Sequence, residues 1–415
     1  MTITPDSERH ATYREVLADP RFRLLFVTRT LTVTADSLRI MTLSVLVFTT
    51  TGSPLLGALT FGVGFLPQLA GSLFLGSLAD RVRPRPLVVA GHVLSCATAA
   101  AAGLVVLPVP VLLLLFAAVA CLTPVFSGVS VRLVAETLTG DAYVLGRSLS
   151  NMSASGAQLL GLAGGGVAIV SLGPRNSLLL SSAAYLIAAV AVRVRLPDLP
   201  APGKAARPGP GASVLRHSWS ESGALLTDRT VRTLLLAQWL PAAFVAGAES
   251  LVVPFTGGRS MSPGSTGTLL ACLPVGMLAG DLVVGRFLSP AARERLVPAL
   301  VVVLGAPLLV FAVDPPWLVC AVLLLITGAG FAYGLGLQRP FLDAVPETAR
   351  GQAFGLLSAG MMSSQGLGPV AFGTIAEFTD AGTAMALSGL ATLGIAVQLT
   401  RRRRQASDVR GAGPG

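Results

Sequence analysis

The chain runs to 415 residues, 53% of them hydrophobic and only 12% charged, with a mean hydropathy of +0.73. A soluble domain carries roughly 25% charge, so this chain cannot clothe a water-facing surface and reads as an integral membrane protein. Its net charge of +10 does not mark a nucleic-acid binder, because the arginines fall in short gaps between apolar runs and not on one basic face with interleaved aromatics.

An apolar helix of about 20 residues crosses the hydrocarbon core of a bilayer. Cut at its Gly, Pro and charged punctuation, the first half of the chain gives spans near 24–50, 55–79, 86–107, 110–134, 146–170 and 175–196. The second half gives spans near 232–256, 264–288, 296–313, 316–342, 351–376 and 382–400. The pattern predicts an all-α membrane protein with twelve transmembrane helices in two pseudo-symmetric six-helix bundles. In chain order these are an N-terminal segment 1–23, a bundle 24–196, a linker 197–231, a second bundle 232–400 and a basic tail 401–415. The linker carries the Pro/Gly/Ala run from Ala201 to Ser213, too polar and too broken to cross a membrane.

Arginine placement predicts orientation. The gaps after even-numbered spans hold Arg81, Arg83 and Arg85, then Arg147, Arg193 to Arg232, Arg293 with Arg295, and Arg350, while the opposite gaps hold Arg175 and Arg259. By the positive-inside rule both termini face the cytoplasm, in a multi-pass protein of the cell (inner) membrane. The polar start, Met1 to Arg23, has no apolar h-region and does not read as a cleavable signal peptide.

The halves also echo each other. Gln158, Gly161 and Gly166 in span five recur as Gln365, Gly368 and Gly373 in span eleven, and Gly71 and Gly76 in span two recur as Gly280 and Gly285 in span eight, at offsets of 207 to 209. Such internal symmetry is the mark of a duplicated transporter fold.

Charges inside spans cost several kcal/mol unless they face a cavity or a partner. Arg29, Asp36 and Arg39 lie in span one, within about 80° of one helical face, and Thr32 shares it. One reading is a polar stripe lining the transport cavity, with Asp36 protonatable and an arginine as counter-charge; the other is a self-neutralising structural pair of Asp36 with Arg39. In span seven Gln238 and Glu249 share a face, with Pro241 between them, and Glu249 is the second candidate for carrying a proton. Near the span ends, Glu136 with Arg132 and Asp343 with Arg339 read as gate residues.

The sharpest local signal is Gly76-Ser-Leu-Ala-Asp80-Arg81-Val-Arg83-Pro-Arg85 at the end of span two. It resembles the G-x-L-A-D-R-x-x-R-R signature of the major facilitator superfamily, departing from it at Arg83-Pro84. The resemblance implies alternating access, with Gly76 allowing close helix approach and Asp80, Arg81 and Arg85 forming a cytoplasmic latch that breaks and re-forms in each cycle. Arg21-Phe-Arg-Leu-Leu-Phe, Thr51-Gly-Ser-Pro54 and Asp228-Arg-Thr-Val-Arg232 look like the branch with drug, macrolide and siderophore exporters. Gly161-Leu-Ala-Gly164-Gly165-Gly166 is similar to the superfamily antiporters' G-P-x-x-G-G element with Leu162 in place of Pro; simple small-residue helix packing is the alternative.

The chain has no G-x(4)-G-K-[ST] loop for ATP. Its four cysteines sit within apolar runs without metal spacing, and His10, His92 and His217 assemble no nucleophile or metal constellation. The expectation is therefore a monomeric secondary transporter and not an enzyme, with no cofactor and no nucleic-acid partner. It would exchange protons for a small hydrophobic drug or secondary metabolite. A siderophore exporter or a metabolite importer of the same fold is the second reading, and a non-transporting receptor or scaffold the third.

Overall fold

The computed structural model describes residues 12–75, 82–138, 140–198, 225–346 and 350–411, and among them every regular element is helical. Span one is a single helix, Pro20–Thr51, and span three is Pro84–Leu104, entered through Pro84 at its first turn, where a missing N–H costs nothing. Span four is Val109–Thr137, span eight Pro263–Phe287, span eleven Arg350–Phe378 and span twelve lies within Ala381–Gly411.

Ten helices among the described residues are long and apolar enough to cross a membrane. The count of twelve follows from two of the helices. Gly140–Arg195 is broken at Gly173, whose φ of +81° only glycine adopts readily, with Pro174 behind it, so spans five and six meet there. Span eleven is long enough, but its glycines, serines and Gln365 hold it below the hydropathy of its neighbours.

Several spans are discontinuous. Span two is Pro54–Gly62 followed by Leu66–Leu75, span seven Arg229–Ser250 then Val252–Gly257, and span ten Trp317–Gly330 then Tyr333–Ala344. Each break is tightened by three-residue backbone bonds, such as Gly64 N–H to the Phe61 carbonyl at 3.0 Å and Leu251 N–H to the Ala248 carbonyl at 3.1 Å. Span nine, Pro290–Gly305, finishes as the 3₁₀ stretch Ala306–Val313.

The repeated glycines repeat their packing. A Cβ at Gly161 would strike the Thr34 carbonyl and approach Ser37 Cβ to 2.6 Å, so spans one and five cross in contact. In the second half a Cβ at Gly368 would strike the Ala243 carbonyl and approach Gly247 N to 3.1 Å, so spans seven and eleven cross the same way. Likewise Gly71 lies against the Cys121 carbonyl between spans two and four, and Gly280 against the Ala329 carbonyl between spans eight and ten. Close backbone approach at small residues supplies the dispersion contact that lipid, itself apolar, does not drive.

By contact the chain falls into two compact units, Met1–Leu43 with Pro67–Ala205 and Ser44–Leu66 with Ala206–Gly415. In the second, Gly62 meets the Gly366 carbonyl, and a Cβ at Gly373 would come within 2.9 Å of Ala58 Cβ. There Glu377 accepts from the Ser53 hydroxyl at 2.8 Å and from the Leu55 N–H at 3.2 Å, closing the first turn of span two.

Candidate transport site

Span one carries its polar stripe on an unbroken helix. Asp36 Oδ1 accepts from Arg39 Nη2 at 2.9 Å, one turn away, and from the Tyr185 hydroxyl of span six at 2.6 Å. The two ends of the ion pair are unequally covered: the Arg39 side chain is 14% exposed and that of Asp36 44%. The Arg39 guanidinium lies 5.1 Å from the centre of the Phe116 ring and 5.6 Å from that of Tyr185. Two aromatic faces thus offset part of the cost of burying a cation. Its Nε and Nη1 are buried without a hydrogen-bond partner. Asp36 Oδ2, by contrast, makes no hydrogen bond or ion pair among the described residues.

Arg29 and Thr32 lie on the same helix, both half-buried, and the Thr32 hydroxyl donates to the Arg29 carbonyl at 3.1 Å. Thr30 reaches span five through Ser153 at 2.5 Å. Gln158 is exposed on span five, with Gly161, Gly165 and Gly166 buried beyond it; Gly165 sits against Met41 and Leu38 of span one.

In the second unit Gln238 bonds back to the Leu234 carbonyl at 3.2 Å, and its own carbonyl accepts from the Tyr333 hydroxyl of span ten at 2.7 Å. Trp239 donates to the Leu357 carbonyl of span eleven at 3.0 Å. Glu249 sits half-buried one residue before the break of span seven, with no ion pair or hydrogen bond to its carboxylate among the described residues. Gln365 is half-buried on span eleven, three residues before Gly368.

Gly76, Asp80 and Arg81 lie outside the described residues. Around them, Arg85 donates to the Arg193 carbonyl and Arg83 pairs with Asp198 at 3.1 Å, tying the start of span three to the end of span six. Arg132 lies 3.4 Å from Glu136, and Arg339 lies 3.7 Å from Asp343. The repeat extends to these span-end charges. The Arg339–Asp343 pair is exposed at both ends, and such i,i+4 pairs contribute about 0.3–0.5 kcal/mol.

Sequence reasoning missed Tyr185 and Phe116. Phe116 stands in an apolar stretch of span four, and Tyr185 continues the buried serine row Ser177 and Ser181 of span six; only the rotation of those spans brings both rings to Arg39. Charge spacing does not reach either ring, but the i, i+4, i+8 row of Ser177, Ser181 and Tyr185 was a signal for the second.

Comparison with known proteins places the chain in a family. The model of the Major Facilitator Superfamily matches residues 25–339. Solved structures of nucleoside transporter NupG superpose at TM-score 0.72, with 15% identity over 92% of this chain and 99% of that one. A NupG variant gives 0.75 at 13% identity, over 92% and 99% of the two chains. A bacterial homologue of the human lysosomal transporter Spinster, inward-facing and unoccupied, gives 0.69 at 15% identity, over 92% and 96%. No curated protein matches the chain.

Proposed function

This chain belongs to the major facilitator superfamily and is a transporter, and from that premise we propose that it exports a small hydrophobic drug or secondary metabolite in exchange for protons. Asp36 and Glu249 are the proton-coupling residues in this reading. The observation that carries it is the Asp36 carboxylate inside span one, held through one oxygen by Arg39 and Tyr185 while the other makes no hydrogen bond or ion pair among the described residues. A carboxylate in a dry span favours the neutral form, while water or a nearby cation favours the charged one. A cycle that alternates those surroundings loads and unloads a proton. Glu249, without a partner among the described residues, suits the same task in the second unit.

The glycine run Gly161, Gly164, Gly165 and Gly166 supports exchange over uptake through its likeness to the antiporter element. Arginine placement supports a cytoplasmic-membrane protein with both termini inside. A monomer suffices, because both proton sites lie in one chain. The two halves would rock about a midplane site, with Gly76, Asp80, Arg81 and Arg85 as the inner latch.

Reconstitution tests this. In proteoliposomes with an imposed pH gradient, export substrates move against the proton flow; Asp36→Asn and Glu249→Gln abolish gradient-driven movement yet leave counterflow of unlabelled for labelled substrate. Gradient-driven transport unchanged in both variants overturns the proposal, and movement in the proton's own direction replaces export with uptake.

A further inference from the structure

The Thr51-Gly-Ser-Pro54 turn gives span two a helix end that holds a carboxylate. Gly52 takes the left-handed φ of +68°. Ser53 then caps the helix, accepting from the Leu56 N–H at 3.2 Å, and Pro54 starts it. The Ser53 hydroxyl and the Leu55 N–H both donate to Glu377, at the far end of span eleven, at 2.8 and 3.2 Å. Unpaired N–H groups and the helix dipole favour an anion at that end.

The clasp closes one edge of a hairpin. Ser44–Leu66 is tied within itself by the Ser44 hydroxyl, which donates to the Gly57 carbonyl at 3.1 Å, and it packs with the later part of the chain. That packing is shallow. Ala58 meets Gly373 and Gly62 meets the Gly366 carbonyl of span eleven, while the Phe48 ring lies against Gly257 of span seven. Contacts between small residues part without unlocking interdigitated side chains. Glu377 is exposed, so water replaces its partners on release and no buried polar group is stranded.

The hairpin also has a place to bend. The two pieces of span two meet at 63–65, where Gly64 bonds back to Phe61 and Phe65 to Gly62, each at 3.0 Å. That break directly precedes the boundary of the two compact units at Leu66 and Pro67. On the other side of the hairpin, span one is unbroken from Pro20 to Thr51 and carries Asp36 two turns before Ser44.

We propose that Ser44–Leu66 is a gating lid, closed here on spans seven and eleven, latched by Glu377 and hinged at 63–65. It lies at the ends of spans one and two opposite the Gly76–Arg85 loop, and it rests on the alternating cycle proposed above. Opening breaks both bonds to Glu377 and uncovers the face of Gly57, Ala58 and Gly62. The unbroken span one carries the same tilt to the Asp36 stripe.

Thr50, Val313 and Phe378 are exposed and take no part in the clasp, so spin labels there leave it intact. With the four cysteines replaced by alanine, pulsed electron–electron distances are measured in nanodiscs for two pairs. Thr50→Cys/Phe378→Cys spans the edge of the lid, and Val313→Cys/Phe378→Cys lies within the last six spans. Glu377→Ala is expected to raise the ratio of a longer to a shorter Thr50–Phe378 distance about fivefold, as for loss of one helix-capping interaction. Glu377→Gln falls between, and the Val313–Phe378 distance stays single. A Thr50–Phe378 distance indifferent to Glu377→Ala overturns the lid, as does equal broadening of both pairs, which marks a loosened fold. The expected shift in a protein that no pH gradient drives would leave the lid standing and defeat the proton-coupled function instead.

Discussion

Gly368→Ala puts the repeated helix crossing to a quantitative test. The new methyl would lie 2.9 Å from the Ala243 carbonyl carbon, 3.1 Å from Gly247 N and closer still to the Ala243 carbonyl oxygen. All three are backbone atoms, so no side chain can swing aside and the two helices must part. Carbon contacts are comfortable at about 3.5–4.0 Å, which requires a separation of roughly 1 Å along the crossing. Overpacking of this kind costs about 1–3 kcal/mol, and the backbone contact points to the upper end. Alanine returns up to about 1 kcal/mol through helix propensity, leaving a net loss of about 2 kcal/mol. Gly394→Ala is the control, because a Cβ there meets nothing within 4 Å and only the propensity gain of up to about 1 kcal/mol applies. Thermal unfolding of purified protein in detergent should rank Gly394→Ala at or above wild type and Gly368→Ala clearly below it. A Gly368→Ala variant that melts at or above wild type would refute the backbone crossing.

Tyr185→Phe removes one of the two donors to Asp36 Oδ1 and should cost about 1.5–3 kcal/mol of site stability, as for hydrogen bonds to charged groups; the measurement is unfolding of Tyr185→Phe with and without Asp36→Asn, and additive losses would show that the two do not interact. Glu377→Ala removes the acceptor for Ser53 and Leu55 and should cost about 1 kcal/mol, seen as faster amide hydrogen exchange at the start of span two, with Glu377→Gln intermediate. Asp380 caps span twelve by accepting from the Thr383 N–H at 2.9 Å and the Thr383 hydroxyl at 2.5 Å. Those bonds, above all the Thr383 hydroxyl, hold its carboxyl below the usual range. A depressed carboxylate stabilises fully above its unfolded pKa of about 3.9 and loses that contribution as pH falls through the lower folded value. Acid unfolding of Asp380→Asn should therefore lack a component that wild type shows below pH about 4; identical acid profiles would remove the cap from the account.

Much of the architecture was legible because the bilayer imposes it. Length, apolar runs and Gly/Pro punctuation give twelve spans without any knowledge of packing, and duplication leaves glycines at a constant offset. Other features depend on helix rotation, which a nearly all-apolar helix does not encode in its periodicity. Tyr185 reads as one more aromatic in span six until the fold turns its hydroxyl onto Asp36. The run Gly161 to Gly166 looks uniform, yet Gly161 and Gly165 are packed against span one while Gly164 has open space beside it. The pairing of Asp36 with Arg39 was the reading set against a cavity stripe; the pair forms, with the carboxylate more exposed than its arginine.

The placement of Ser44–Leu66 with the later half of the chain also bears on biosynthesis. Gly62 and Ala58 find their contacts on Gly366 and Gly373, residues made some 300 positions later. At roughly 5–20 residues per second, the segment Ser44–Leu66 waits tens of seconds in the membrane for its partners. During that interval its small-residue faces are open to other helices, so the early spans need a temporary lipid or chaperone partner to keep from pairing wrongly.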